Sequence, residues 1–530
     1  MTQQIKMTMG KSFLIPPLRR YIWVVFLYIL IPESLSAQEK IIQPDRVEHL
    51  MNTKGRVRII VSLNVQNHKE MSAASATYSP PEHADSKDSP GGNPDQTLAE
   101  AISSTADSVT AKLPKGSFNL KRVFRFTPAM AMSVDPPALN ALKQHPAVVS
   151  IQEDRLSKAF PPNIKPDIKI DEKKSSGVTD TPSLVDSATL IGADRAWAMG
   201  YTGSGEYVAV LDTGVKTDHE MFLGKTIVEA CYGTTDSYWQ SRTICPNGLE
   251  SQTGAGAAPP TAGSHGTHVS GIAVGNNTDF QTGEPLQGVA PGAGLIAVQV
   301  FSRFDSVSVC YPDAPPCYLS FDSDQIGGME FVYSQRFQYA ISSVNMSLGG
   351  GEYTSYCDSD SRKPIIDLLK AAKIATVIAT GNNGYCDATG APGCISSAVS
   401  VGASDKSDVE AWFNNWNADI QDLFAPGVSI LSSTSSTPTS YESWNGTSMA
   451  TPHVAGAFAI LKQANKTASV DTLESALKQT GTPIPGLCYL AGTIPRINVA
   501  GALEKVIPSP LPRPNYLNII PAINLLLSVA

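Results

Sequence analysis

The chain has 530 residues, of which 17% are charged, and its 48 acidic residues outnumber its 40 lysines and arginines to give a net charge of −8. This acidic balance argues against a nucleic-acid-binding protein, because phosphate neutralisation needs a basic surface. The length allows one large enzyme domain with accessory segments. A glycine count of 41 and a proline count of 38 are typical of a loop-rich globular protein.

The first 37 residues have the pattern of a secretory signal peptide. An apolar run, Tyr21 to Ile31, is followed by the small residues Ser36 and Ala37 of a cleavage site. Basic residues precede the run at Lys6, Lys11, Arg19 and Arg20. The run falls short of the ~20 apolar residues that span a bilayer, which favours a signal peptide over a membrane anchor. We therefore expect a secreted protein, located outside the cell, in a periplasm or at a cell surface.

Residues 38–155 alternate strand and helix patterns, with a Ser-, Pro-, Gly- and Asp-rich insertion at 73–97. The order predicts a small α+β domain of ferredoxin-like βαββαβ topology. The segments are a strand over Val57–Val65, a helix over Leu98–Val109 with Asp95 as N-cap, a strand over Val123–Phe126, a helix from Asp135-Pro136 to Leu142, and a strand over Val148–Ile151.

Residues 156–185 are rich in proline and polar residues, and we expect an exposed linker that is cut by proteolysis. From 186 to 504, short apolar strands alternate with glycine turns and amphipathic helices, which predicts an α/β domain whose mostly parallel sheet has helices on both faces. The clearest segments are strands at 207–211, 295–300, 344–346 and 375–379 and a helix at 365–373. Residues 505–530 form a proline-rich tail of unknown role, too interrupted to predict a membrane span.

All eight cysteines lie in the C-terminal 300 residues, and none belongs to a C-x-x-C pair. An even count without that motif favours disulfides over zinc. The short separations of Cys231 from Cys245 and of Cys310 from Cys317 predict local disulfides in loops. The remaining pairing stays open, since eight cysteines allow about 105 connectivities.

Three polar residues follow a predicted strand or open a predicted helix, in the chain order Asp212, His265, Ser448. A serine hydroxyl needs a base to become a nucleophile, and a neutral imidazole can accept its proton and return it to a leaving amine. A carboxylate that accepts the other imidazole N–H fixes the tautomer of the base. Of the known serine-triad orders, Asp-His-Ser is that of the subtilisin type.

Five motifs resemble those of the subtilisin-like serine peptidases, in the order of that family. They are LDTGV around Asp212, SHGTHVSG around His265, NMSLGGG from Asn345, ATGNNG around Asn382 and GTSMATPHVAG around Ser448. The resemblance covers roughly residues 186–504. It implies a secreted serine endopeptidase, and it implies that residues 38–155 are an inhibitory propeptide domain that the enzyme itself removes at a processing site within 156–185.

Further residues are expected to shape the site. The backbone N–H of Ser448 at a helix N-terminus and the side-chain amide of Asn382 can donate to an oxyanion. Ser347, Leu348 and Gly349 follow a strand and lack bulky polar groups, which suits pairing with an extended substrate. The resemblance implies an S1 pocket beside this segment with a preference for apolar or aromatic side chains.

Two further histidines lie near the candidate site, and neither is expected to bind a metal ion. His268 and His453 lie about one helical turn beyond His265 and Ser448, and we interpret both as structural. The His265-x-x-His268 spacing lacks the glutamate of a zinc motif. No cofactor is required for the chemistry. A structural calcium ion is an open alternative without identified ligands, because Met221 stands where many relatives have aspartate.

The sequence thus predicts a monomeric proenzyme that acts on proteins or peptides, inhibited by its own propeptide, with no nucleic-acid partner. Two alternatives compete with this interpretation. An inactive binding module on the same fold would have lost a catalytic residue, and Asp212, His265, Asn382 and Ser448 are all present. An esterase or amidase would use the same triad, and only a substrate assay separates it from a peptidase.

Overall fold

The computed structural model describes residues 40–78, 93–160, 184–278, 286–488 and 492–508. The predicted signal peptide, most of the predicted linker and nearly all of the tail lie outside these residues. Below, residues 40–155 are called the N-terminal segment and residues 184–508 the C-terminal segment. Residue 505, the first of the predicted tail, lies within the last described helix.

The N-terminal segment forms a four-stranded antiparallel sheet of order β2-β3-β1-β4. Helices pack against it through apolar side chains such as Leu98, Ile102 and Leu142, all fully buried. The elements are α1 Pro44–Lys54, β1 Val57–Leu63, α2 His68–Thr77, α3 Pro94–Thr110, β2 Phe118–Val123, β3 Ala129–Val134, α4 Pro136–Gln144 and β4 Val148–Glu153.

Local differences from the sequence-based expectations have identifiable causes. The N-cap of α3 is Asn93, whose side chain accepts a hydrogen bond from the Asp95 N–H, and not Asp95 itself. Proline at the first helical position explains the earlier start, because its missing N–H costs nothing there. Helix α1 and helix α2 were not predicted, and β2 lies earlier than Val123–Phe126. Asp135 caps α4 as expected, accepting from the Ala138 N–H.

A ten-stranded sheet dominates the C-terminal segment, in the order β23-β24-β20-β19-β17-β15-β6-β12-β7-β9. Its eight central strands pair in parallel, and only β23 and β9 at the edges are antiparallel. The strands of this sheet are β6 Tyr207–Asp212, β7 Ile227–Tyr232, β9 Ser251–Thr253, β12 Gly294–Gln299, β15 Ile341–Met346, β17 Ala375–Ala379, β19 Val399–Ser404, β20 Leu423–Pro426, β23 Thr482–Pro485 and β24 Thr493–Arg496.

Both faces of this sheet are buried, as the continuous apolar strands predict. Along β6, Val208 and Val210 pack in one core cluster, while Ala209 and Leu211 pack in the other. The cluster with Val208 and Val210 also contains the buried apolar residues of the long helix α11. The helices are α5 Leu184–Leu190, α6 Ala193–Ala198, α7 His265–Val274, α8 Val307–Cys310, α9 Asp322–Ser334, α10 Lys363–Ala371, α11 Thr447–Ala464, α12 Val470–Thr480 and α13 Val499–Val506, with a 3₁₀ turn at Glu220–Phe222.

A second, six-stranded antiparallel sheet has the order β18-β16-β5-β14-β13-β8. Its strands are β5 Leu156–Ala159, β8 Ser241–Thr243, β13 Ser302–Phe304, β14 Cys317–Phe321, β16 Leu348–Tyr353 and β18 Thr389–Ala391. Residues 156–159, expected in the exposed linker, are therefore part of a sheet. Two short hairpins, β10 Asn276–Asn277 with β11 Leu286–Gln287 and β21 Ile430–Ser433 with β22 Tyr441–Trp444, complete the described strands.

All eight cysteines form disulfides. The bonds Cys231–Cys245 and Cys310–Cys317 confirm the two predicted local pairs. The other two are Cys357–Cys394 and Cys386–Cys488, with sequence separations of 37 and 102 residues. Cys386 and Cys394, which are close in sequence, thus belong to different disulfides. These disulfides link the segment that contains them to two other parts of the chain.

Candidate active site

The candidate residues lie together because the topology brings them to one edge of the ten-stranded sheet. Asp212 is the last residue of β6, Ser347 follows β15, and Asn382 follows β17 by three residues. These three strands are parallel neighbours, so their carboxyl ends meet at the same edge. His265 and Ser448 open α7 and α11, two helices that pack against each other.

Asp212 and His265 form a buried pair. The His265 Nδ1 lies 2.8 Å from Asp212 Oδ1 and 3.0 Å from Oδ2. Asp212 Oδ1 also accepts the Thr213 N–H at 2.7 Å, and the exposed fractions of the two side chains are 1% and 8%. The other ring nitrogen, His265 Nε2, is buried without a hydrogen-bond partner among the described residues. The ring is thereby fixed at Nδ1 and has Nε2 available.

Ser448 is fully buried at the second position of α11. Its hydroxyl donates to the Ser347 carbonyl at 3.2 Å, and the Ser347 hydroxyl donates to the Ser448 carbonyl at 3.0 Å. Asn345 Nδ2 donates to the Ser347 hydroxyl at 3.0 Å. These bonds fix the start of α11 against the end of β15. A helix N-terminus carries a partial positive charge, so the first N–H groups of α11 favour a developing anion.

The side chain of Asn382 is held at one end and unpaired at the other. Its Oδ1 accepts hydrogen bonds from the Thr447 N–H at 2.9 Å and the Thr447 hydroxyl at 2.8 Å. Its Nδ2 is buried with no partner among the described residues. The preceding Gly381 has a φ of +110°, where other residues are strained. A buried, oriented and unpaired N–H donor beside Ser448 is the arrangement an oxyanion requires.

The expected substrate segment carries a strand of the same chain. Strand β5 lies between β16 and β14, pairing Leu348 with Ala159 and Gly349 with Lys158 on one side. On the other side, Ser157 pairs with Ser320, one residue before the end of β14. The Leu348–Gly349 segment therefore binds an extended backbone in an antiparallel register.

Phe160, the residue after β5, packs where the S1 pocket was expected. Its ring tip lies 3.1 Å from the position that a Cβ on Gly349 would take and 3.5 Å from that on Gly381. The Gly349 position has no room for a side chain, since its Cβ would also lie 2.6 Å from the Ala391 carbonyl oxygen. Phe160 is 7% exposed. The site therefore takes an aromatic ring between two glycines.

The N-terminal segment docks on α9 of the C-terminal segment. Glu330 accepts three backbone N–H bonds from the turn after β2: Phe126 and Thr127 at 2.7 Å and Arg125 at 2.9 Å. Arg58 is buried at the same interface and pairs with Asp154, and its Nη2 also donates to the Ser323 hydroxyl at 3.0 Å. The Glu330 carboxylate with its three N–H donors and the buried Arg58 guanidinium with its acceptors both make charge-assisted hydrogen bonds, which are strong and specific.

The two other histidines have structural surroundings. Burial lowers the pKa of His268 to about 3, and its ring stacks on Trp444 at a centroid distance of 4.2 Å. Burial lowers the pKa of His453 to about 4, and its ring nitrogens contact the Met449 carbonyl and the Ser187 hydroxyl, each at 2.8 Å. Both rings are therefore neutral packing elements near neutral pH.

Three contributors were missed in the sequence. The Trp444 ring lies near His265, with a centroid distance of 6.5 Å, and also stacks on His268. In the sequence, its one signal was its position four residues before Ser448. Glu330 and Phe160 had no sequence signal, because each acts through a partner distant along the chain. In the described part of the chain, no group of three His, Cys, Asp or Glu side chains is placed to hold a metal ion. Met221 is fully buried.

Comparison with known proteins identifies the family of this chain. The model of the subtilase family, Peptidase_S8, matches residues 203–492, more than half of the chain. The chain belongs to the subtilase family. This subtilase is 30% identical to an extracellular serine proteinase of Thermus sp. (strain Rt41A), over 67% of its own length and 71% of that protein.

Two further proteins are similar to this chain. Subtilisin E of Bacillus subtilis (strain 168) is 27% identical over 77% of this chain and 88% of its own. A solved structure titled as proteases from Pseudoalteromonas arctica PAMC 21717 covers 60% of the subtilase and 94% of that chain, with 26% identity and a TM-score of 0.48. The subtilase is a serine endopeptidase that hydrolyses proteins. Among its described helices, none has the length and apolar character needed to cross a bilayer.

Proposed function

We propose that this subtilase is a secreted, self-processing endopeptidase whose triad is Asp212, His265 and Ser448. The observation that carries the proposal is the fixed His265 ring, bonded to Asp212 through Nδ1 while Nε2 has no partner in the described part of the chain. The Ser448 hydroxyl turns from the Ser347 carbonyl to Nε2 when a substrate binds. Such hydrogen bonds commonly form only in the substrate complex.

The reaction then proceeds in two halves. Ser448 Oγ attacks the carbonyl carbon of the scissile bond as its proton passes to His265 Nε2, and the carbonyl electrons move to the oxygen. That oxyanion accepts hydrogen bonds from the Ser448 N–H and Asn382 Nδ2. The C–N bond breaks, His265 protonates the leaving amine, and an acyl-enzyme forms. Water, deprotonated by His265, then releases the acid and regenerates Ser448.

We propose further that residues 38–155 are an inhibitory propeptide domain of ferredoxin-like topology. Its support is the antiparallel sheet order β2-β3-β1-β4 and the docking of this domain on α9 through Glu330 and Arg58. Strand β5, which follows the domain, occupies the substrate segment with Phe160 in the expected S1 pocket. The enzyme cuts its own chain between Arg155 and Asp186, and the docked domain inhibits until it is released.

Secretion follows from the signal-like residues 1–37, and four disulfides suit an oxidising compartment. We propose a monomer that needs no cofactor for its chemistry.

A fluorophosphonate probe, which reacts with activated serines, tests the proposed triad. The secreted wild-type enzyme should be labelled at Ser448 and should cleave a peptide with phenylalanine before the scissile bond. Asp212→Asn should lower kcat by about 10⁴-fold while the fold persists. Labelling that survives in Ser448→Ala would assign the nucleophile elsewhere.

A further inference from the structure

Arg155, five residues before Phe160, is bound in a receptor built entirely by the C-terminal segment. Its Nε donates to Asp322 Oδ2 at 3.1 Å, Nη1 donates to the Tyr353 hydroxyl, and Nη2 donates to Asp360 Oδ2. The side chain of Arg155 is 15% exposed, and those of Asp322 and Asp360 are 0% and 1% exposed. A single guanidinium thus uses all three of its nitrogens on three separate acceptors.

This geometry selects guanidinium over ammonium. The acceptors come from three parts of the fold: the start of α9, the end of β16 and the loop before α10. A planar guanidinium presents its donors in a rigid fork that reaches acceptors in different directions, while the single nitrogen of lysine cannot reach all of them at once. A neutral side chain would leave the two carboxylates without their outer cation.

Within the C-terminal segment, Arg362 also binds the two carboxylates of the receptor. Arg362, 1% exposed, pairs with Asp322 Oδ1 at 2.9 Å and with both oxygens of Asp360 at 2.8 Å. It also donates to Gln325 Oε1 at 2.8 Å. One arginine between two carboxylates leaves a net charge of −1, which the guanidinium of Arg155 neutralises. Arg362 therefore still pairs with both carboxylates when Arg155 leaves, and their net negative charge attracts another cation.

The backbone register fixes which substrate residue reaches this receptor. The Asp322 N–H donates to the Arg155 carbonyl at 3.0 Å, which extends the pairing of Leu156 with Phe321 by one residue. Any extended peptide that binds between β14 and β16 with its aromatic residue in place of Phe160 repeats this register. Its fifth residue before the aromatic one then lies beside Asp322, Tyr353 and Asp360.

We propose that Asp322, Tyr353 and Asp360 form an arginine-specific subsite, so that this enzyme prefers polypeptides with arginine five residues before the aromatic or apolar residue that enters S1. The inference rests on the proposed function, because it takes β5 as the guide to substrate binding. Arg155 fills the subsite in the precursor, and an arginine-bearing substrate fills it afterwards.

Three peptides test the subsite on the secreted wild-type enzyme. Each has the sequence of residues 155–160 followed by Ser-Ala-Gly-Ser, and they differ only in having arginine, lysine or citrulline at the first position. Hydrogen bonds to charged groups are worth about 1.5–3 kcal/mol, so the arginine peptide should exceed the citrulline peptide roughly tenfold to hundredfold in kcat/KM. Lysine should fall between them, and the arginine advantage should shrink in 0.5 M salt.

Two enzyme variants separate this subsite from a general charge effect. Tyr353→Phe removes one acceptor and should reduce the ratio of arginine to citrulline kcat/KM several-fold. Asp367→Asn is the matched control. Asp367 is 48% exposed and pairs with Lys363, so this variant removes a carboxylate of the same segment that does not contact Arg155, and the ratio should persist.

The outcomes distinguish this inference from the proposed function. Cleavage of all three peptides after phenylalanine with kcat/KM values within twofold of one another refutes the subsite and leaves the endopeptidase proposal standing. An equal loss of the ratio in Asp367→Asn and Tyr353→Phe also refutes it, in favour of a diffuse acidic surface. No cleavage of any peptide refutes the proposed function and this inference together.

Discussion

The replacement of Asn382 by alanine removes the side-chain donor that the structure leaves unpaired beside Ser448. Because Nδ2 has no partner among the residues that the structure describes, the hydrogen bond to the substrate oxygen is made as charge develops on that oxygen. Such an interaction lowers the barrier without improving ground-state binding. Asn382→Ala should therefore reduce kcat by about 10²–10³-fold, equivalent to about 2.7–4 kcal/mol, with KM little changed. This range is the general one for an oxyanion donor, with a subtilisin among the enzymes that define it.

The same substitution also has a structural cost that must be measured separately. It removes the acceptor of two hydrogen bonds from Thr447, at 2.9 and 2.8 Å, each worth about 1 kcal/mol of stability. Urea unfolding of the purified variants gives this cost. Thr447→Val is the matched control, since it removes the hydroxyl that orients Asn382 but keeps the backbone N–H and the amide donor.

The assay is steady-state hydrolysis of a peptide with phenylalanine before the scissile bond. We expect Thr447→Val to reduce kcat less than Asn382→Ala does, by about tenfold or less, because a positioned donor is retained. An increase in KM with an unchanged kcat in Asn382→Ala would refute the oxyanion role and assign Asn382 to substrate binding. A loss of kcat that follows the loss of stability in both variants would refute it as well.

Four further predictions follow from the same structure. Ser448→Ala should accumulate as a precursor retaining residues 38–185, while wild type yields a chain that begins within 156–185. Cleavage of the variant at the wild-type site in a protease-free host would show that another protease performs the processing. Pro161 follows Phe160 in the sequence, and its ring adds a substituent to the nitrogen of the Phe160–Pro161 peptide bond. Pro161→Ser should therefore accelerate cleavage after Phe160, as read by N-terminal sequencing. An unchanged rate would place the processing site elsewhere. Glu330→Gln keeps an oxygen acceptor but removes the negative charge that accepts three backbone N–H bonds. The inhibition constant of the added N-terminal domain should therefore be at least about tenfold higher for this variant than for wild type. Equal inhibition constants would contradict the docking role of Glu330. Burial lowers the pKa of His453 to about 4, so the unfolded chain binds a proton that the folded chain excludes. The free energy of unfolding should therefore fall by up to about 1.4 kcal/mol per pH unit as the pH falls from about 6.5 towards 4. Urea unfolding should show a shallower loss in Ser448→Ala/His453→Gln than in Ser448→Ala, and equal slopes would contradict the role of His453.

Local patterns in the sequence were enough for the elements that carry the chemistry. The apolar segments at 207–211 and 375–379 are strands, and 365–373 overlaps the helix α10. The positions of Asp212 at the end of a strand and of Ser448 at the start of a helix follow from hydrophobic runs and glycine turns a few residues away. Asp135 as an N-cap is equally local. Such features depend on neighbours within one or two turns of the chain, which the sequence displays directly.

Boundaries and caps were less accurate where two local signals competed. Asn93 and Asp95 are both good N-caps, and Pro94 between them decided for Asn93 because proline fits the first helical position. The amphipathic patterns of α1 and α2 are short, and their helices are stabilised by packing against the rest of the fold. Short segments of this kind are marginal by themselves, so their sequence gives a weak signal.

Only the tertiary structure decided which distant residues meet. The sequence alone determined that the chain carries Asp212, His265, Asn382 and Ser448 in family order, but nothing local indicates that Arg155 binds Asp322 and Asp360. Nor does spacing reveal the Cys386–Cys488 bond across 102 residues. Strand β5 looked like a linker because an unpaired extended segment and a strand between two partners have the same local sequence. Its partners, β14 and β16, lie more than 150 residues away, and only the folded sheet supplies their hydrogen bonds.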